Sequence, residues 1–201
     1  MAHKQVATPN KLTKDLIIER SFNAPRELLW QAWTNPQIVR LWWGPRYFTA
    51  PYIKIDLRVG GSYFYCMRAP DGKNFWSTGT YREIVDPERL VITDSFANEM
   101  GEVVSAAYYG LSPDFPLESK ITIHFEEVSR KKTKLKLTYH GVPVTDYDNA
   151  ASGWNQSLDK LAAQLPDIDF AQIFTNSGFC TPVITSKTES ESSLSFLLYQ
   201  L

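Results

Sequence analysis

Hydrophobic and polar residues alternate along much of the chain between residues 50 and 141. In residues 119–128, Ile121, Ile123 and Phe125 occupy one face of an extended segment, and polar residues occupy the other. Residues 133–141 repeat this pattern. A period of two predicts strands with one buried face and one face in contact with solvent. The pattern therefore predicts a sheet that is covered on one side.

The turns between these segments are short and rich in Gly, Pro and Asp, which supply the backbone conformations that tight turns need. Strands that follow one another through such short connections pair antiparallel. One further β-branched run precedes them near the N-terminus. In total the pattern predicts seven antiparallel strands, at residues 15–23, 50–58, 60–69, 74–85, 89–97, 119–128 and 133–141.

Two short helices are predicted between the first and the second strand. Leu28, Leu29 and Trp33 recur at helical spacing, Pro36 opens a second helix, and a Gly-Pro pair at residues 44–45 ends it. The second helix ends in the aromatic stretch LWWGPRYF, residues 41–48. We expect Trp42 to anchor the helix pair.

A long helix is predicted at residues 145–165, after the last strand. Its apolar stripe consists of Trp154, Leu158, Leu161 and Leu165. The simplest way to bury this stripe is to lay the helix on the covered face of the sheet. The prediction is an α+β fold over residues 13–165, a seven-stranded antiparallel curved sheet wrapped around a long C-terminal helix.

Four stretches of the chain, taken together, are distinctive: FNAPRELLWQAWTNPQIVRLWWGP, DLRVGGSYFYCMRAPDGK, GTYREIVDPERLV and GWNQSLDKLAAQL. They resemble one protein family, the bacterial group similar to the C-terminal domain of the activator of the heat-shock protein 90 ATPase (AHSA1-like), within the START-like (SRPBCC) helix-grip superfamily. The resemblance implies a cavity between the long helix and the sheet, commonly used for an apolar small molecule.

The chain is rich in aromatic residues, with six Trp, ten Tyr and eleven Phe. Rings offer a broad apolar wall, and tyrosine hydroxyls add a few orienting hydrogen bonds. We therefore expect inward-facing aromatic and apolar residues to line a ligand cavity, with the residues after Trp42 at its mouth. The predicted cavity residues are Trp43, Phe48, Tyr63, Tyr65, Met67, Trp76, Phe96, Tyr108, Ile123, Leu137, Tyr139 and Trp154.

Composition and charge exclude several classes of partner. The net charge is −1, which provides no electrostatic footprint for nucleic acid or an anionic membrane. No apolar run approaches the length of a membrane span, and the first residues lack the apolar segment of a signal peptide. Only two cysteines occur, and Cys66 is expected to be a small buried side chain. A reducing, cytoplasmic location is the default expectation.

No catalytic motif stands out. His3 lies in a polar arm, and His124 and His140 fall on the polar faces of their strands by alternation. No set of His, Cys, Asp and Glu has the spacing of metal ligands. There is also no nucleophile elbow, phosphate-binding Gly loop or dinucleotide fingerprint. We predict no catalytic residue, no metal and no cofactor.

Both ends of the chain are expected to lie outside the domain. Residues 1–12 form a polar arm, and residues 166–201 form an extension with a Ser/Thr/Glu-rich stretch. Its last residues have helical apolar spacing at Leu194, Leu197, Leu198 and Leu201. This segment is either a terminal helix that docks on its own domain, or a frayed end, or a segment that binds a partner or forms a homodimer.

Three functions are compatible with these observations. The leading hypothesis is a binding domain for an apolar or aromatic small molecule. The second is an enzyme of the cyclase or hydrolase kind that uses the same cavity. The third is a chaperone-interaction module, which we expect least, because only about twelve residues precede the first strand, whereas the eukaryotic activators carry a further N-terminal domain there.

Overall fold

Seven strands and three helices make up residues 12–168, the part of the chain that the computed structural model describes. Single 3-10 turns occur at Ala106–Tyr109, Val144–Asp146 and Leu165–Asp167. The main elements are β1 (Thr13–Phe22), α1 (Arg26–Thr34), α2 (Pro36–Trp42), β2 (Thr49–Ile55), β3 (Ser62–Arg68), β4 (Asn74–Val85), β5 (Arg89–Ala97), β6 (Ser119–Ser129), β7 (Lys132–Pro143) and α3 (Tyr147–Gln164).

The strands form one sheet in the order β1-β7-β6-β5-β4-β3-β2, and all neighbours are antiparallel. Strands β2 to β7 are therefore neighbours in space in the same order as along the chain. The first strand is the exception, because it pairs with the last one. The predicted seven-stranded antiparallel sheet with a long C-terminal helix and two short helices after β1 is confirmed.

The start of α2 is built from a local sequence signal. The side chain of Asn35 accepts a hydrogen bond from the backbone N–H of Gln37 at 2.9 Å, and Pro36 occupies the first turn. An Asn cap satisfies a backbone donor that has no partner within the helix, and proline has no N–H to lose there. This pair of residues ends α1 and redirects the chain into α2.

Trp42 anchors the helix pair, as expected. Its side chain is completely buried, and its ring lies 4.8 Å from the ring of Trp33 on α1. The indole N–H of Trp42 donates to the backbone carbonyl of Ala32 at 2.7 Å. The contact therefore joins α1 to α2 through both apolar area and a buried hydrogen bond.

Helix α3 covers the sheet with a face that is partly made of small residues. The predicted stripe is only partly right, because Leu158, Leu161 and Leu165 are buried but Trp154 is half-buried. The buried face also includes Ala150, Gly153 and Ser157. These three small residues leave space above the sheet that larger side chains would fill, and Trp154 lies at the border of that space.

Some predictions fall outside the described residues. They are the polar arm up to residue 11 and the extension from residue 169 onward with its apolar spacing near the end of the chain. The proposed homodimer depends on that extension and stays a prediction, as do the domain boundaries. Among residues 12–168, no helix combines the length and the apolar character needed to cross a membrane.

Candidate functional site

A pocket lies between α3 and the sheet, beside the end of α2. It encloses about 90 Å³. Ala150, Gly153 and Ser157 of α3 line it, so the small residues of the helix border the space. The rest of the wall is mainly aromatic, with Trp43, Phe75, Phe96, Phe115, Tyr139 and Trp154, and Trp76 also lines it, although its ring points away.

Half of the predicted cavity residues contribute to this wall. Trp76 is one of them, but its ring does not point into the pocket. The ring stacks on that of Phe64, with the two centroids 4.7 Å apart. Phe64 lies between the inward-facing Tyr63 and Tyr65 on β3 and therefore points to the outer face. The ring of Trp76 lies on that outer face, contrary to the expectation that it points inward. The predicted residues found in the wall are Trp43, Met67, Trp76, Phe96, Tyr139 and Trp154.

Five other predicted residues are buried beside the pocket or in the core. Phe48 packs against Met67 in a small separate cluster. Tyr63 and Tyr65 lie under the pocket wall, with their rings 4.6 Å apart. Ile123 and Leu137 are completely buried in the main core.

Tyr108 is a correction to the predicted set. It is 61% exposed, whereas its neighbour Tyr109 is buried. Both residues lie in a 3-10 turn, and Tyr109 is the ring that packs inward and donates to the carbonyl of Ala97 at 2.6 Å. Tyr47, expected at the cavity mouth, is also exposed.

Trp43 and Trp154 form one side of the pocket. Their rings meet edge to face with centroids 5.6 Å apart. Trp43 also contacts Tyr65 at 4.9 Å, and Trp154 stacks on Trp33 at 6.1 Å. The ring of Trp154 also meets that of Tyr139 edge to face, with centroids 6.5 Å apart. The buried indole N–H of Trp43 finds no acceptor among residues 12–168.

One carboxylate enters this aromatic wall. Asp94 on β5 is held by two tyrosine hydroxyls: Tyr63 donates to Oδ1 at 2.5 Å and Tyr139 donates to Oδ2 at 2.9 Å. The hydroxyl of Tyr63 also lies 3.1 Å from the carbonyl of Thr93. We call Asp94, Tyr63 and Tyr139 the Asp94 cluster. It brings together groups from β3, β5 and β7.

Burial controls the protonation of the Asp94 cluster. It raises the pKa of Asp94 above its usual value, although the two tyrosine hydrogen bonds act in the opposite direction. Burial, followed by the nearby carboxylate, raises the pKa of Tyr63 and Tyr139 well above the usual value. Both hydroxyls therefore stay protonated and act as donors. The cluster can hold or exchange one proton at the Asp94 carboxyl.

The sequence analysis missed Asp94, although the chain contains a signal for it. Leu90, Ile92, Asp94 and Phe96 alternate along β5 and share one face. Since Leu90 and Ile92 are buried, the same alternation places Asp94 on the inward face. A lone carboxylate in an apolar register is a candidate site residue, because an unpaired charge is costly to bury.

Lys160 on α3 fixes the loop that borders the pocket mouth. Its ammonium lies within hydrogen-bond distance of four backbone carbonyls and shares its three N–H groups among them: those of Trp43 at 3.3 Å, Gly44 at 3.0 Å, Pro45 at 3.4 Å and Phe48 at 2.9 Å. Burial lowers the pKa of Lys160 to about 8. The side chain ties α3 to the end of α2, where Gly44 and Pro45 line the pocket.

The remaining polar candidates lie elsewhere. His124 is exposed, and His140 pairs with Asp15 at 2.8 Å on the outer face of the sheet. A wide, open depression on that face carries charged side chains of both signs, which pair with one another, as Lys134 does with Glu19. Within residues 12–168 no group of three or more His, Cys, Asp or Glu side chains is arranged to hold a metal. Cys66 is buried, and burial raises the pKa of its thiol.

Comparison with known proteins identifies the family. Residues 23–165 match the family model described as Activator of Hsp90 ATPase homolog 1-like protein. The chain belongs to this family. The match covers both short helices, strands β2 to β7 and α3, so the pocket and the Asp94 cluster lie inside the AHSA1-like region. No match was found among curated proteins.

Solved structures share the fold of this AHSA1-like chain. A protein from Chromobacterium violaceum is 27% identical, with a TM-score of 0.63 over 76% of this chain and 96% of that one. A protein from Arthrobacter aurescens is 22% identical, with a TM-score of 0.64 over 78% and 88%. The AHSA1 protein from Silicibacter pomeroyi is 22% identical, with a TM-score of 0.61 over 76% and 97%. The last two similarities show a common fold and nothing finer.

Proposed function

We propose that this AHSA1-like domain binds a small apolar or aromatic molecule in the pocket between α3 and the sheet. The observation that carries the proposal is an aromatic wall that contains only a few polar groups, the composition typical of small-molecule sites. The small residues of α3 supply the space, and Asp94 supplies a group that orients a ligand. The proposed location is the cytoplasm.

The unpartnered indole N–H of Trp43 also supports the proposal. A buried donor without an acceptor costs about 1–3 kcal/mol. A bound molecule with an acceptor atom would remove that cost. The enclosed volume of about 90 Å³ is below the range of roughly 300–1,000 Å³ that is usual for ligand pockets. The ligand is therefore small, or Trp43 and Trp154 move apart when it binds.

Replacing Trp154 by Ala is the variant that tests this function. The half-buried ring contributes to stability, so we expect a loss of about 2 kcal/mol, less than for a fully buried Trp. Because the ring forms one side of the pocket, affinity for small aromatic molecules such as indole should fall about tenfold. Calorimetric titration measures the affinity, and urea unfolding measures the stability.

Phe64→Ala is the matched control for this variant. Phe64 is also half-buried, but it lies on the outer face of the sheet beside Trp76. It should lose stability to a similar degree and keep its affinity. Equal affinity in the Trp154→Ala protein and the wild type would show that the aromatic molecules bind elsewhere or not at all.

One observation favours an enzyme of the cyclase or hydrolase kind as a second candidate. Asp94 enters the pocket with a raised pKa, and a carboxyl of this kind is able to act as a general acid or base. The two functions differ in the fate of the ligand. If the protein is an enzyme, mass spectrometry of a ligand incubated with it shows a product, and the Asp94→Asn variant no longer forms that product. If it is a binding protein, the ligand is recovered unchanged.

A further inference from the structure

We propose that the ligand of this pocket is a small organic ammonium ion, an aromatic amine or a compact aliphatic one, whose N–H groups donate to the Asp94 carboxylate. This inference rests on the proposed function, because it names the chemical class of the molecule bound at the same site. It is carried by the unused hydrogen-bonding capacity of Asp94 and the charge of the wall, and the aromatic surroundings agree with it.

The hydrogen bonds of Asp94 leave room for a ligand donor. A carboxylate offers about four acceptor positions on its two oxygens. Among residues 12–168, the side chain of Asp94 accepts hydrogen bonds from Tyr63 and Tyr139 only, one on each oxygen. Each oxygen therefore keeps an unused lone pair. Since Asp94 lies in the pocket wall, an N–H group of a bound molecule fits there better than a further acceptor.

The charge of the wall favours a cation. The residues that line the pocket include Asp94 but no Lys, Arg or His. Lys160, which borders the mouth of the pocket, directs its ammonium at four backbone carbonyls of the loop there. Asp94 forms no ion pair with any residue in the range 12–168. An ammonium ion would supply the counter-charge that the protein itself does not place there.

The aromatic rings near the Asp94 carboxylate are a further feature of the pocket that suits a cation. The face of an aromatic ring carries partial negative charge and attracts cations, most strongly where water is excluded. Phe96 lies two residues from Asp94 on the same face of β5, and the ring of Tyr139 meets that of Trp154 edge to face. An anion would be repelled by the carboxylate. A neutral molecule would leave the carboxylate without a counter-charge.

Three probes of nearly equal size and shape test the inference. Benzylamine is a cation in water at neutral pH, benzyl alcohol is neutral and benzoate is an anion. Calorimetric titration of the full-length protein should show that benzylamine binds about tenfold or more tightly than benzyl alcohol, and that benzoate binds most weakly. This ranking is measured on the wild type, so it does not depend on the folding of any variant.

Two variants test whether the Asp94 carboxylate causes the preference for benzylamine. Asp94→Asn keeps the size of the side chain and one oxygen that accepts from a tyrosine hydroxyl, replaces the other oxygen by an NH2 group, and removes the charge. In this variant the affinity for benzylamine should fall to that for benzyl alcohol, while the affinity for benzyl alcohol stays within about threefold. Glu99→Gln removes one charge from an exposed position near the end of β5 and should leave the ranking unchanged.

The outcomes separate this inference from the proposed function. If benzyl alcohol binds to the wild type as tightly as benzylamine does, the ammonium inference is wrong, whereas the binding of small aromatic molecules stands. A preference that survives in Asp94→Asn also overturns the inference. If none of the three probes binds and indole does not bind either, the proposed function itself is contradicted.

Discussion

Replacing Trp42 by Ala is expected to lower the free energy of unfolding by about 4 kcal/mol, as for a large aromatic residue in a packed core. Trp42 is completely buried. Its ring packs on Trp33 of α1 and on Trp43 at the pocket wall, and its N–H donates to the carbonyl of Ala32. The substitution leaves a cavity and an unpaired carbonyl at once. Urea unfolding followed by far-ultraviolet circular dichroism measures the loss.

Two control variants show which part of Trp42 matters. Trp42→Phe keeps most of the ring but removes the donor, and should cost about 1–2 kcal/mol. Trp76→Ala removes a half-buried Trp from the outer face of the sheet, and should cost about 2 kcal/mol. A Trp42→Ala protein that unfolds at the urea concentration of the wild type would show that α1 and α2 are held together by other contacts.

Replacing Gly79 by Ala is expected to cost about 3 kcal/mol, because the added methyl group overpacks a rigid part of the sheet. Gly79 on β4 pairs with Tyr63 on β3. An added Cβ atom would overlap the backbone carbonyl of Thr93 and lie 2.6 Å from Cε1 of Tyr63. The carbonyl belongs to β5 and cannot move without disturbing the sheet. The Tyr63 ring would move, and its hydroxyl would lose contact with Asp94.

Gly72→Ala separates this overlap from backbone strain. Gly72 lies in the turn between β3 and β4 with φ near 87°, and an added Cβ would meet nothing within 4 Å. Only the left-handed backbone conformation opposes the substitution, at a cost of about 1–2 kcal/mol. If both Ala variants show the same urea midpoint, the Tyr63 ring does not rest against Gly79. The Gly79→Ala protein should also bind benzylamine more weakly than Gly72→Ala does.

Periodicity made most of the fold predictable from the sequence. Strands β4 and β5 begin and end at the predicted residues, because turn residues flank them on both sides. The predicted end of β7 and the predicted beginning of α3 were less accurate. A 3-10 turn at Val144–Asp146 lies between these two elements and occupies the predicted beginning of the helix. The helix pair was visible from Asn35 and Pro36. Tyr108 was misplaced because the stretch around it has no regular period.

The candidate site was only partly predictable. Apolar alternation indicates which rings turn inward, but not which of them border space and which are packed on all sides. Ile123 and Leu137 illustrate the limit, since they obey the pattern and are packed completely. The space depends on the size of residues on another element, such as Gly153 on α3. The contact of Asp94 with two tyrosines from distant strands is likewise a property of the assembled sheet.

The pairing of the first strand with the last has a consequence for synthesis on the ribosome. Strands β2 to β7 find their partners within short hairpins or one loop, whereas Asp15 on β1 meets His140 on β7, 125 positions later. Closing so long a loop is slow and entropically costly. We expect β1, the first strand to emerge, to be the last to gain protection in pulsed hydrogen exchange, after β4 and β5. Until β7 has been made, the apolar face of β1 with Leu16 and Phe22 is available to chaperones that hold nascent chains.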